Sequence, residues 1–344
     1  MNGKENGIEY LQQSISILDG IESFCYQNCL RIVLQFQGLR NSELYLNAAL
    51  SFGFDKSKEE LVTRQHIRSL LPPFSKCVKR KEYLEEVLAE KIFEDNIDYI
   101  KKNKNAIIVG VDTYYLEYAS NYMKNHARHT LVLCGYNQST RKVQVIDWYP
   151  PWYYKGEVSL EAFLNARASK NEIDGTLYSG NPINNNWAQV DFIPYRTDNE
   201  LLLLLLEDMV KNHNLCDSDE NIAYGVDGLK EFGKFIEKTF ECEKLNRTYK
   251  KMIVITKRYN FFRMYMRHFD NIEIVRRIIL NLDYKIEEWD RISMLVLKTS
   301  ITNSSRIKEK IHTRIDNLIE SDKDLYSDIM ELYKNLVSEV EKND

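Results

Sequence analysis

The chain has 344 residues, of which 44% are hydrophobic and 28% are charged, and its formal net charge is −4. This is the composition of a globular protein long enough for two domains of ordinary size. Without a basic excess to neutralise a phosphate backbone, the composition argues against nucleic acid as a partner.

The N-terminal segment MNGKENGIEYLQQS has neither the basic start nor the apolar stretch of a secretory signal. The longest leucine run, residues 201–206, is far shorter than the roughly twenty apolar residues that cross a bilayer. We therefore expect a cytoplasmic protein with no membrane partner. The cysteines form no C-x-x-C pair, so we expect free thiols and no bound metal; they stand at positions 25, 29, 77, 134, 216 and 242.

Residues 23–38, SFCYQNCLRIVLQFQG, predict a buried helix that ends at Gly38. Cys25 falls in its first turn, where the helix dipole and the unpaired N–H groups favour a thiolate over a thiol. This makes Cys25 a candidate nucleophile. The alternative is an inert core thiol, which is the common fate of a lone cysteine and the role we assign to Cys29.

Helical periodicity continues to about residue 103, and the pattern then changes to segments rich in Val and Ile. We expect strands at 106–111, 130–134, 142–146 and 187–192, with a polar turn at 135–141 that makes the middle pair a hairpin. Helices followed by an antiparallel sheet predict an α+β fold.

His129 directly precedes the first strand of this hairpin, and Asp147 directly follows the second. Opposite ends of antiparallel neighbours meet at one sheet edge, so the imidazole and the carboxylate should lie side by side. If the Cys25 helix crosses the sheet there, the three residues form a nucleophile, a base and an orienting carboxylate. His126 is a competing base, and Asp147 could instead be a turn former before the prolines.

All six prolines precede residue 196, and beyond it amphipathic stretches with cap-type residues such as Asp227, Asn271 and Ser304 predict almost continuous helix. We therefore expect a catalytic domain at 1–195 and an all-helical domain at 196–344. Basic residues are frequent in the second domain and form either a partner surface or a solvated, charge-balanced helix face; they include Lys250, Lys251, Lys257, Arg258, Arg263, Arg267, Arg276 and Arg277.

The order Cys25-x3-Cys29-x8-Gly38, His129, Gly135-Tyr136, Asp147 and Ser159-Leu-Glu-Ala-Phe163 resembles the papain-like (C39) cysteine peptidases that process bacteriocin leaders. The closer resemblance is to the butirosin biosynthesis protein H family. Relatives there share an extended segment like residues 111–118 and a helical C-terminal domain, for which Trp289 is a landmark. Leader peptidases usually have a glutamine at the position of Asp19, so Gln12, Gln13 or the Cys25 backbone N–H would have to donate to the oxyanion.

The resemblance implies an acyltransferase of natural-product biosynthesis. Cys25 would take an acyl group from a carrier-protein thioester and pass it to an amine, with the phosphopantetheine arm supplied by the carrier and no cofactor of the chain's own. The alternatives are a cysteine peptidase or amidase and a non-catalytic binding protein. Candidate substrate-binding residues are Asp112, Tyr114 and Tyr115 in the extended segment, and Trp148 and Trp152 in an aromatic cluster that could equally be a packed loop.

Overall fold

The computed structural model describes residues 24–50, 52–62, 70–83, 88–176, 178–214, 221–239, 241–302 and 304–343. The chain divides into two compact units, the first comprising Phe24–Leu46 and Pro73–Tyr195 and the second Asn47–Pro72 and Arg196–Asp344. That 1–195 and 196–344 fold as separate domains stays a prediction. Across the described ranges, no helix is long and apolar enough to cross a membrane.

In chain order the helices and strands are α1 Cys25–Phe36, β1 Gly53–Asp55, β2 Glu60–Leu61, β3 Val78–Lys81, α2 Ala89–Asn103, β4 Ile107–Asp112, β5 Arg128–Asn137, β6 Lys142–Asp147, β7 Tyr154–Ser159, α3 Leu160–Ala168, β8 Trp187–Val190, α4 Asp198–Asn214, β9 Ile222–Tyr224, α5 Gly225–Lys238, α6 Cys242–Arg267, α7 Glu273–Thr302 and α8 Ser305–Asn343.

Helix α1 is buried along most of its length, as its apolar spacing predicts. It begins at Cys25, directly after the extended residue Phe24. Gly38 follows the C-cap residue Gln37 and has a φ of 84°, a left-handed conformation that only glycine adopts without steric cost. The predicted helix and its end at Gly38 are confirmed.

Six antiparallel strands of the first unit form one sheet in the order β3-β8-β4-β5-β6-β7. The four predicted strands correspond to β4, β5, β6 and β8, with ends shifted by at most three residues. Helix α1 packs on the central strands β4 and β5, while α2 and α3 contact each other through Phe93 and Phe163, whose ring centroids lie 5.7 Å apart.

The prediction that helix continues to about residue 103 is wrong between Gly38 and Leu88. The described residues there form β1, β2, β3 and two short 3-10 turns, Ser42–Tyr45 and Phe74–Cys77. These strands take their partners from distant parts of the chain, since β1 pairs with β9 and β3 with β8. β3, with sequence VKRK, is a mostly exposed edge strand, and such charged edges lack the apolar alternation that identifies a strand in the sequence.

The β5–β6 hairpin extends further than its apolar run suggests. Its turn is closed by Asn137, whose Oδ1 accepts the backbone N–H groups of Ser139 and Thr140 at 3.1 and 3.2 Å. At the other end, the last residue of β4, Asp112, pairs with Arg128, so β5 begins at Arg128. His129 therefore lies inside β5, opposite Val111, and Asp147 is the last residue of β6.

The second unit combines the helices α4–α8 with the small sheet β2-β1-β9. Trp289 of α7 is fully buried and stacks on Phe52, with ring centroids 5.3 Å apart and Phe232 of α5 beside them. α8 begins at Ser305, immediately after the predicted cap residue Ser304. An antiparallel sheet in the N-terminal part and a helical C-terminal region confirm the predicted α+β class.

Candidate active site

The hairpin brings His129 and Asp147 together on neighbouring strands. Because Val132 pairs with Ile146, the two residues lie one diagonal step apart, a distance that long side chains bridge. The His129 Nε2 is 2.8 Å from the Asp147 Oδ1, and both side chains are almost completely buried. The predicted neighbourhood of imidazole and carboxylate is therefore present at this end of the sheet.

Cys25 is brought to the same place by helix α1, which packs along β5. Its side chain is within hydrogen-bonding range of the His129 ring. Since Nε2 faces Asp147, the remaining ring nitrogen, Nδ1, is the one available to the sulfur. The residue is the first of the helix and partly exposed, so the thiol combines the positive end of the dipole with access from outside.

The electrostatics of this group favour a charged histidine. Burial alone would lower the pKa of His129, because it disfavours the imidazolium. The negative charges of Asp147 and Cys25, and the hydrogen bonds from the ring to both, outweigh burial and raise that pKa well above its ordinary value. A thiolate beside an imidazolium is the state in which a cysteine attacks a carbonyl carbon.

Cys29, one turn further along α1, has a different environment. Its Sγ donates to the backbone carbonyl of Thr130 at 3.4 Å. Burial raises the pKa of the Cys29 thiol well above its ordinary value, and the charges of Cys25 and Asp147 act in the same direction. The thiol is therefore held protonated, as suits a packing residue.

Tyr118 completes the carboxylate's surroundings and was not identified from the sequence. Its Oη donates to the Asp147 Oδ2 at 2.9 Å, on the opposite side of the carboxylate from His129. The Tyr118 ring stacks on Tyr154, with centroids 3.9 Å apart and planes at 5°. Burial, reinforced by the Asp147 charge, raises the pKa of Tyr118 well above its ordinary value, so the phenol remains a donor. The only sequence signal was its position at the end of the extended segment 111–118.

Aromatic rings surround His129. Trp152 lies edge-on to the imidazole, with centroids 5.1 Å apart and planes at 90°, and Tyr149 lies 5.3 Å away. Trp148 instead packs against Tyr153 at 5.5 Å, and its backbone carbonyl accepts the Nδ2 of Asn28 on α1 at 3.3 Å. Of the two predicted tryptophans, Trp152 contacts the histidine, whereas Trp148 links helix α1 to the segment after β6.

A second histidine–aspartate pair involves the competing base. The His126 Nδ1 is 2.7 Å from the Asp112 Oδ2, and the His126 ring stacks on Tyr114 with centroids 4.3 Å apart. Asp112 is fully buried and also accepts the Ser169 hydroxyl at 2.6 Å and two backbone N–H groups. Tyr115 lies edge-on to His126, at 6.4 Å between centroids. Three predicted binding residues thus gather around His126, and the two histidines have different carboxylate partners.

Other predicted residues fall elsewhere. Asp19, Gln12, Gln13 and Cys216 lie outside the described residues. The ranges that the structure does describe contain no group of three or more His, Cys, Asp or Glu side chains placed to hold a metal ion.

The fold and this cluster define the class of the first unit: an α+β protein with a cysteine at the start of a buried helix, close to a histidine and an aspartate of an antiparallel sheet. Residues 24–148 match the family model described as butirosin biosynthesis protein H, N-terminal. This part of the chain is similar to that family, and the predicted resemblance is confirmed. The matched range begins one residue before Cys25 and ends one residue after Asp147, so it contains all three residues. No match was found among curated proteins.

Proposed function

We propose that this protein is an acyltransferase of natural-product biosynthesis, in which Cys25 carries the acyl group between a carrier-protein thioester and an amine. The observation that carries the proposal is the contact of His129 with both Asp147 and Cys25. The family match over residues 24–148 supports a biosynthetic role, since the family model is named for a protein of butirosin biosynthesis.

In the first half-reaction the Cys25 thiolate attacks the carbonyl carbon of the acyl–phosphopantetheine thioester. The bond between that carbon and the pantetheine sulfur breaks, and the acyl group remains on Cys25 as a new thioester. The departing sulfur takes a proton from the His129 imidazolium. One thioester replaces another, so the step is close to thermoneutral and needs no activating co-reactant.

In the second half-reaction the amine attacks the acyl–Cys25 carbonyl carbon. The neutral His129 ring accepts the proton that the amine loses, the carbon–sulfur bond breaks, and the product leaves as an amide. This restores the thiolate and the imidazolium. Asp147 stabilises the imidazolium in each cycle and keeps the ring oriented.

Water competes with the amine for the same acyl group. Trp152 and Tyr149 both lie next to the His129 ring and limit the space from which water could be activated. Exclusion of water from such a site favours a bound amine nucleophile over hydrolysis. The same three polar groups would also serve a peptidase or amidase, and the substrate must distinguish these reactions.

The test is intact-mass analysis of the protein after incubation with an acyl carrier protein loaded with a simple acyl group. We expect an increase by the mass of the acyl group, its absence in Cys25→Ala, and its retention in Cys29→Ala as the matched thiol control. Addition of a primary amine should discharge the adduct as an amide. Cleavage of peptides without any acyl adduct, or an adduct that persists in Cys25→Ala, would overturn the proposal.

A further inference from the structure

Helices α7 and α8 enclose a cleft of about 960 Å³ that plays no part in the site described above. It runs along the C-terminal half of α7 and the N-terminal part of α8, from Asp290 to Ile301 on one side and from Lys310 to Asn317 on the other. Apolar side chains line it at helical spacing. Two of them are strongly exposed for their type, Met294 at 59% and Ile301 at 78%.

The charges around this cleft are mostly positive. Four cations and one carboxylate, Asp290, line it. Arg291 and Arg314 are both held by the buried Glu288, at 2.7 and 2.8 Å. Lys298 and Lys310 form no ion pair with the described residues, so their charges remain available to a ligand.

Several other basic side chains of the helical region form ion pairs within the unit. Arg277 pairs with Asp328 and Glu331, Arg263 with Asp283, and Lys251 with Glu60. Arg258 is buried, and burial lowers its pKa to about 10. Several of the residues that predicted a basic partner surface are thus engaged within the unit, whereas the cleft combines Lys298 and Lys310 with exposed apolar side chains.

The shape of the cleft indicates what could occupy it. Its apolar side chains all belong to α7, where Met294, Leu297 and Ile301 follow successive turns, and α8 lines the other side with polar and basic side chains. A third helix can pack in such a groove with its apolar face toward α7. An amphipathic helix binds such a groove with apolar residues spaced three and four apart. Acidic residues flanking that stripe would meet Lys298 and Lys310. A second copy of the same cleft would bring like charges together.

We propose that this cleft is the docking site for an acidic amphipathic helix of a partner protein and that, under the proposed function, the partner is the acyl carrier protein. The apolar contacts supply affinity, while the two lysines supply orientation and rapid association that weakens with salt. Neither lysine takes part in the acyl-transfer chemistry.

Direct binding tests the docking site independently of any reaction. The probe is a fluorescent 18-residue peptide with leucines at i, i+3, i+4 and i+7 and glutamates elsewhere, and the readout is anisotropy with the full-length protein. Lys298→Glu/Lys310→Glu should weaken binding by about tenfold or more. Lys334→Glu/Lys342→Glu, the same charge change elsewhere on α8, should not. A lysine version of the peptide should bind the first variant better than the wild type. Equal binding to all three proteins would overturn the docking site.

Acyl loading then tests the identity of the partner. Loading is compared from an acyl carrier protein and from the corresponding acyl-N-acetylcysteamine, a small thioester with no helix to dock. Lys298→Glu/Lys310→Glu should raise the carrier concentration for half-maximal loading about tenfold and leave the small thioester unaffected. Equal loading from the carrier would overturn its assignment to the cleft. Failure of the wild type to load from either donor would overturn the proposed function, while the peptide experiment would still decide the docking site.

Discussion

Replacement of Asp147 by asparagine removes one charge from the candidate site and keeps nearly the same shape. The carboxylate contacts His129 at 2.8 Å, and its charge is among the causes that raise the pKa of that histidine. Without the Asp147 charge, only Cys25 opposes the effect of burial on the pKa of His129, so that pKa should fall. Because the imidazolium is the form that protonates the leaving sulfur, activity falls as the pH rises through the pKa of His129. The alkaline limb of the pH profile should therefore move to lower pH in the variant.

The geometry gives the size of this effect. Charge centres about 4 Å apart attract by roughly 4 kcal/mol at the effective dielectric constant of about 20 that suits protein sites. One pKa unit corresponds to about 1.4 kcal/mol, so the alkaline limb should move down by at most about three pH units. The same energy, if it is lost from the transition state, lowers the turnover number by roughly a thousandfold.

The assay is the pH dependence of single-turnover acyl loading, followed by mass spectrometry. Asp112→Asn is the matched control, because it alters the other histidine–aspartate pair, in which the His126 Nδ1 lies 2.7 Å from a buried carboxylate. That control should leave the alkaline limb in place, whatever its effect on the unfolding midpoint. An unchanged alkaline limb and near-normal turnover in Asp147→Asn would show that Asp147 is only a turn former. An equal shift of the limb in Asp147→Asn and Asp112→Asn would refute the assignment of His129 as the base.

Three further substitutions test the surroundings. Cys29→Ala should lower the free energy of unfolding by about 1 kcal/mol through loss of a buried contact, with loading retained; loss of loading in a folded variant would contradict its packing role. Tyr118→Phe removes the second donor to Asp147 and should cost about 1.5–3 kcal/mol in denaturant unfolding, with a lower turnover number and an unchanged KM for the donor; unchanged stability and turnover would show that the hydrogen bond has no role. Trp289→Ala empties a fully buried position and should cost about 3–5 kcal/mol, while the loading rate per folded molecule stays constant; a loss below 1 kcal/mol would contradict the packing described.

The parts that could be predicted from sequence have strong local signals. Helix α1 combines regular apolar spacing with a glycine at its end, and the hairpin has two Val- and Ile-rich runs around a polar turn. With both placed, the proximity of His129 and Asp147 followed from antiparallel pairing alone. The arrival of Cys25 beside them depended on how the helix crosses the sheet, which the resemblance supplied and periodicity did not.

The parts that could not be predicted depend on partners distant in sequence. β3 is a basic strand whose identity comes only from its pairing with β8. Tyr118 donates to a carboxylate 29 residues away, through a hydrogen bond that leaves no periodic pattern. The cleft between α7 and α8 arises from side chains such as Ile301, whose exposure depends on the packing of the two helices and not on composition.

The small sheet β2-β1-β9 has a consequence for how the protein is made. β1 pairs with β9, which follows about 170 residues later, so the first strand leaves the ribosome long before its partner. At roughly 5–20 residues per second, β1 has only β2 as a partner for on the order of 10–30 s before β9 is synthesised. Phe52 and Phe54 meanwhile lack the aromatic rings of α5 and α7 that cover them in the finished protein. A nascent chain that has reached only residue 195 therefore exposes an apolar segment that a chaperone could bind, and the second unit cannot be completed until translation has passed β9 and its helices.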